Sequence, residues 1–128
     1  MDSKERLFAC MDGSPADRTP NTNIIMTLAA KETGVKYSDY VTDHRLLVEG
    51  NIACAEKYGI DIVTVMSDPM HEAHDVGVDV VFPEDDVPYP RCNLINCAED
   101  VLKLKTVKPE DGRRMSETVR AIELYKKR

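Results

Sequence analysis

Asp68 closes the stretch Gly59-Ile60-Asp61-Ile62-Val63-Thr64-Val65-Met66-Ser67-Asp68-Pro69 and is the first candidate for chemistry in this chain. Ile62, Val63, Val65 and Met66 form an apolar run too short for a helix, and its β-branched members suit a pleated sheet. Gly59 stops the preceding helix, and Pro69 ends the run on its other side. A run without polar alternation predicts a strand covered on both faces, as in a parallel sheet. Ligands of such sheets sit beyond the carboxyl ends of the strands, which is where Ser67 and Asp68 fall. The plain alternative is an aspartate that only caps a turn.

A second group of types is His71 and His74 with Cys92 and Cys97, an H-x2-H and a C-x4-C pair that suit zinc. The first pair follows Pro69 in a loop and the second begins a helix, so we assign no metal ligands. Cys10 and Cys54 lie in apolar helical stretches, where a thiol acts as a small core side chain. No phosphate-cradling glycine loop and no Ser-His-Asp signature is present. Tyr37, Tyr40 and Tyr58 lie near helix ends and are read as packing residues. Glu84-Asp85-Asp86 is read as a solvated acidic turn.

The elements that would position these residues can be read from caps and periodicity. Ser3 caps a first helix through about Met11, and Gly13 to Pro20 is a breaker-rich connection. Asn23 to Ala29 is nearly all apolar and reads as the first strand, with Lys31 to Tyr37 as a loop beyond it. Asp43 caps a helix from His44 to Tyr58, buried through Leu47, Ile52 and Ala55 and stopped by Gly59. The alternation around Val76, Val78, Val80 and Phe82 predicts an exposed hairpin or edge strand, and Pro83, Pro88 and Pro90 make its continuation irregular. Asn96 with Glu99 resembles a capping box for a helix to about Lys105. Met115, Val119, Ile122 and Tyr125 stripe a last helix running to Arg128.

The chain has 128 residues and a formal charge of -6, from 17 Lys and Arg against 23 Asp and Glu. That is one domain's length, and the acidic balance repels nucleic acid and anionic membranes. No apolar run approaches the roughly 20 residues that span a bilayer. The charged amino terminus is no signal peptide, so a cytoplasmic location with reduced thiols is expected.

Three pieces, in order, resemble the uroporphyrinogen decarboxylase superfamily of porphyrinogen decarboxylases and cobamide-dependent methyltransferases. Gly13-Ser14-Pro15-Ala16-Asp17-Arg18-Thr19-Pro20 is similar to the G-x-P-x-D-R-x-P stretch before the first barrel strand. Tyr58-Gly59-Ile60-Asp61 followed by Ser67-Asp68 looks like the helix end and strand that present the family's aspartate. Gly77 to Glu84 resembles the G-x-x-V-x-F-P-E hairpin beyond it. The likeness spans residues 1–128 but only the amino-terminal third of the family's length.

The resemblance implies an α/β fold: the amino-terminal portion of a (β/α)8 TIM barrel, with two core strands, helices and a protruding hairpin. A full barrel needs about eight strands and near 250 residues. It further implies that Asp68 is the catalytic carboxylate, facing a tetrapyrrole's N–H groups or stabilising positive charge during decarboxylation. Ser67 and Lys31 would line the same rim as substrate-binding residues. One departure matters: where the decarboxylases carry methionine-arginine-glutamine-alanine-glycine-arginine, this chain has Met26-Thr27-Leu28-Ala29-Ala30-Lys31. A lone lysine does not replace planar, bidentate guanidinium partners for a polycarboxylate macrocycle. Transfer of a corrinoid-carried methyl group therefore fits better than decarboxylation. Corrinoid and zinc would belong to the complete enzyme, none to this segment, and an isolated segment should be inactive. The other reading is a non-catalytic binding or assembly module that covers open sheet edges by homo-oligomerisation.

Overall fold

The computed structural model describes residues 1–128 and is a helix-rich α/β fold with one small two-stranded ladder. Its helices are α1 (Ser3–Met11), α2 (Thr27–Thr33), α3 (Tyr37–Thr42), α4 (His44–Tyr58), α5 (His71–Asp75), α6 (Ala98–Val101) and α7 (Met115–Tyr125). No helix is long and apolar enough to cross a membrane.

Helix α4 organises the core, packing against α2, α3 and α7. Both of its ends are where the sequence puts them. The Asp43 side chain accepts from the Arg45 N–H at 2.8 Å, and Gly59 ends the helix in the left-handed conformation at φ 63°. Leu47, Val48, Asn51 and Cys54 form its buried face. At Gly50 the neighbouring helix comes so close that an added Cβ would meet the Ala29 carbonyl oxygen at 3.1 Å. A side chain there would force α2 and α4 apart.

The predicted first strand is not one. Thr27-Leu28-Ala29-Ala30-Lys31-Glu32 consists mostly of strong helix formers, and this local preference makes α2 where strand and loop were expected. Ile62 to Ser67 also differs from expectation. It carries no helical or ladder hydrogen bonds, and Val63 and Met66 are exposed, so it is not covered on both faces. Side chains hold it instead. The Thr64 carbonyl accepts from Asn51 at 2.9 Å and Tyr125 at 3.1 Å, and the Ser67 carbonyl accepts from Tyr37 at 2.6 Å.

The hairpin forms in reduced length, as β1 (Val80–Val81) antiparallel to β2 (Tyr89–Pro90), with Val80 opposite Pro90. The surrounding prolines stop it from lengthening. Three expected caps move. Asp2, not Ser3, caps α1 in a box with Glu5. Asp100, not Glu99, reaches back to the Asn96 and Cys97 N–H groups, and α6 is only four residues long. Helix α7 stops at Tyr125 rather than Arg128. Cys54 is a core thiol as expected, whereas Cys10 is exposed.

The breaker-rich Gly13–Pro20 segment is pinned by charge. Asp17 receives Arg6 Nε at 2.6 Å and Nη2 at 2.8 Å. The Asp61 carboxylate, with its side chain 1% exposed, accepts from Ser3, Arg6, Arg18 and the Asn21 N–H. Arg6 holds the Asp17 carboxyl at a pKa of about 2, and Arg18 foremost, then Ser3, Asn21 and Arg6, pull Asp61 down as well. At the α4 start, Arg45 lowers Asp43 to about 2.

These groups set the acid sensitivity. Each releases its proton more readily folded than unfolded, where aspartate titrates at about 3.9. Their contribution is therefore complete above about pH 4 and is lost as pH falls toward 2. The thermal midpoint is expected to hold from pH 7 to 5 and to drop between about pH 4 and 2. Asp17→Asn should flatten that drop; an unchanged slope in the variant would refute the assignment.

Candidate functional site

The Ser67–Asp68 turn borders a cavity of about 610 Å³, within the usual range for small-molecule sites. Its walls come from three places. Met26 lies just ahead of α2, Val65 to Pro69 run beneath, and His71, Glu72, Val87 and Thr118 close the other side. The exposed surface of the lining is mostly apolar, while Ser67, Asp68, His71, Glu72 and Thr118 are its polar residues.

Asp68 sits at this cavity but turns its carboxylate inward. Its side chain is 0% exposed and pairs with Arg114, itself 3% exposed, through Nη2 to Oδ2 at 2.5 Å. Oδ2 also accepts from the Ser67 hydroxyl at 2.8 Å, and Oδ1 accepts from the Met70 N–H at 2.9 Å. Three of the carboxylate's roughly four lone-pair positions are thus taken. The remaining one, on Oδ1, becomes reachable by a ligand only if the turn opens.

Arg114 is the residue that sequence reading missed. It stands 46 positions from Asp68 at the start of α7, and nothing local marks it as buried. Nη2 also reaches the Val41 carbonyl at 2.8 Å, and the guanidinium carbon lies 5.1 Å from the Phe82 ring centre. Nε and Nη1 are buried without a hydrogen-bond partner. The Phe82 ring lies within cation–π range of the guanidinium and offsets part of that cost. Asp75, also buried, accepts from the Arg114 and Met115 N–H groups and so fixes the amino end of α7. The carboxylate would meet any side chain placed at Gly112, which explains the glycine there.

Of the other expected rim residues, Ser67 is buried beside Asp68, while Lys31 lies exposed on α2 and outside the cavity lining. The structure therefore joins Ser67 to Asp68 and leaves Lys31 apart. Tyr37 and Tyr40 pack as expected, 2% and 0% exposed, with ring centres 5.7 Å apart. Burial pushes both hydroxyls well above the ordinary tyrosine range, so they stay neutral donors. Tyr58 is exposed and bonds Glu32.

The His71, His74, Cys92 and Cys97 side chains do not gather their ligand atoms, and both cysteines are exposed. One other trio does converge: Asp43, His44 and Glu117, with ligand atoms within 4.8 Å. Each is already used, Asp43 by Arg45 and Glu117 by His44 Nδ1 at 2.7 Å. The first group does not converge, and the second is committed to bonds within the fold.

The comparisons agree with this architecture. A solved methyltransferase from Methanosarcina mazei superposes with a TM-score of 0.72 at 16% identity, covering 99% of this chain. This chain spans 39% of that protein's length, and at such identity the likeness concerns the fold alone. No curated protein matches. The family model described as uroporphyrinogen decarboxylase (URO-D) matches residues 2–128, nearly end to end. With the Asp17-Arg18 and Asp61 stretches joined in one ion cluster and the hairpin following the Asp68 turn, the chain belongs to the uroporphyrinogen decarboxylase family.

Proposed function

We propose that this chain forms the amino-terminal part of a (β/α)8 barrel enzyme that acts on a methyl group carried by a corrinoid. The observation that carries this reading is the cavity lining: no guanidinium and no ammonium faces it. Arg114 is committed behind Asp68, and Lys31 stands on the outside of α2. A porphyrinogen with several carboxylates would find no bidentate cation here, whereas an apolar wall suits the face of a macrocycle. In this reading the Ser67–Asp68 turn is the polar edge of the site, and Asp68 becomes a working carboxylate only in a complete barrel that opens the turn. The Ile62–Ser67 stretch, free of ladder bonds, would take strand partners in the complete barrel.

Binding of methylcobalamin and of uroporphyrin, each followed by isothermal titration, tests the choice. Methylcobalamin should bind, and Val87→Trp, which adds bulk to the cavity wall, should weaken it at least tenfold. Uroporphyrin binding without methylcobalamin binding would instead favour decarboxylation. If neither binds while native mass measurement gives one discrete oligomer, the unpaired Ile62–Ser67 edge serves assembly, and the catalytic reading falls.

A further inference from the structure

With Asp68 sealed by its partners, His71 is the titratable side chain best placed to exchange a proton in this cavity. It is half-buried, whereas Glu72 is exposed to solvent. His71 Nε2 lies 2.6 Å from the Arg114 carbonyl oxygen. A carbonyl only accepts, so Nε2 carries the proton in both charge states of the ring. Nδ1 is thereby left as the acceptor. Its one neighbour is the Thr118 hydroxyl, 3.3 Å from Nδ1 and 3.2 Å from Nε2. An oxygen almost equidistant from both nitrogens is not aligned with the Nδ1 lone pair.

The residues around His71 read as its support. The Asp68 Oδ1 bond to the Met70 N–H turns the chain into α5, whose first residue is His71. Arg114 holds both parts, its guanidinium on Asp68 and its carbonyl on His71. We infer that His71 is the proton-exchanging group of this cavity, offering Nδ1 to the ligand, with Asp68 and Arg114 as positioning residues. When a ligand X–H bond breaks, the proton forms the Nδ1–H bond and the electron pair stays on X. The resulting imidazolium keeps its Nε2–H on the Arg114 carbonyl. The charged or titratable groups around the ring are Asp68 and Arg114 behind it and Glu72, His74 and Asp75 on its own helix, Asp75 holding the backbone N–H of Arg114. Across a gap of only about 10 Å³ stand Tyr40, Asp43 and His44 at α3 and α4 and Glu117 on α7. The identity of the ligand rests on the corrinoid reading above; the role of the imidazole does not.

Long-range proton–nitrogen NMR of the full chain tests this, with the three histidines assigned by single Gln variants. His71 should show the Nε2–H tautomer in its neutral form, with Nδ1 bare. His71→Gln, whose amide still donates to the Arg114 carbonyl, should keep the wild-type thermal midpoint. An Nδ1–H tautomer would overturn the inference. Added methylcobalamin should shift the His71 signals but not those of His74, and His71→Gln should bind it about tenfold more weakly, one hydrogen bond's worth. Binding that leaves His71 undisturbed would also overturn it. If methylcobalamin does not bind the wild type, the corrinoid reading fails, and the tautomer alone decides the case for His71.

Discussion

Arg114→Met is expected to cost the fold about 3–5 kcal/mol, the range for removing one partner of a buried ion pair. The reason is the carboxylate left behind. Asp68 would keep the Ser67 hydroxyl and the Met70 N–H but lose its only cation, with its side chain 0% exposed. Adding Asp68→Asn should recover more than half of the loss, because a neutral amide needs no counter-charge. The Val41 carbonyl, which loses its Arg114 donor in both variants, sets the part that stays lost. Urea midpoints at constant m-value measure the cycle. A single variant as stable as wild type would show that the pair contributes nothing. Any fall in turnover for Asp68→Asn must therefore be read beside its stability.

The second large effect belongs to Asn51, which is 0% exposed. Its amide donates to the Thr64 carbonyl and the Tyr125 hydroxyl, both at 2.9 Å, and its oxygen accepts from Tyr40 at 3.1 Å. One side chain thus ties α4 to α3, to α7 and to the stretch that leads into the Asp68 turn. Asn51→Leu keeps the branched shape and heavy-atom count and deletes every bond. About 1–3 kcal/mol is expected for each group left without a partner, the Tyr40 hydroxyl first, since its remaining contact with the Ile25 carbonyl is a long 3.5 Å. Tyr125→Phe should cost less, because the Thr64 carbonyl then retains Asn51. Equal unfolding midpoints for the two variants would sink this ordering.

These two residues also mark what the sequence revealed and what it hid. Helix α4 was legible at both ends because an N-cap aspartate and a left-handed glycine act within a few residues of themselves. The Asp68 turn answers to the plain alternative, an aspartate that holds its own turn through the Met70 N–H, and not to the buried strand read before it. Ile24 to Ala29 misled, since an apolar run says nothing of its period, and Ala29, Ala30 and Lys31 favoured the helix. Asn51 carries no signal in a helix otherwise read by its apolar stripe. Arg114, in a run of charged residues after Gly112, reads as a solvated helix start. Long-range pairing put both inside, and no local rule reports that.

The Asp61 cluster bears on the order in which the chain takes shape during synthesis. Arg18 and Arg6 lie 43 and 55 positions ahead of the carboxylate that receives them. They leave the ribosome long before Asp61 does, so α1 and the loop after it have no docking place until α4 has emerged. The amino-terminal residues are thus the first made and among the last secured, waiting on a helix translated after them.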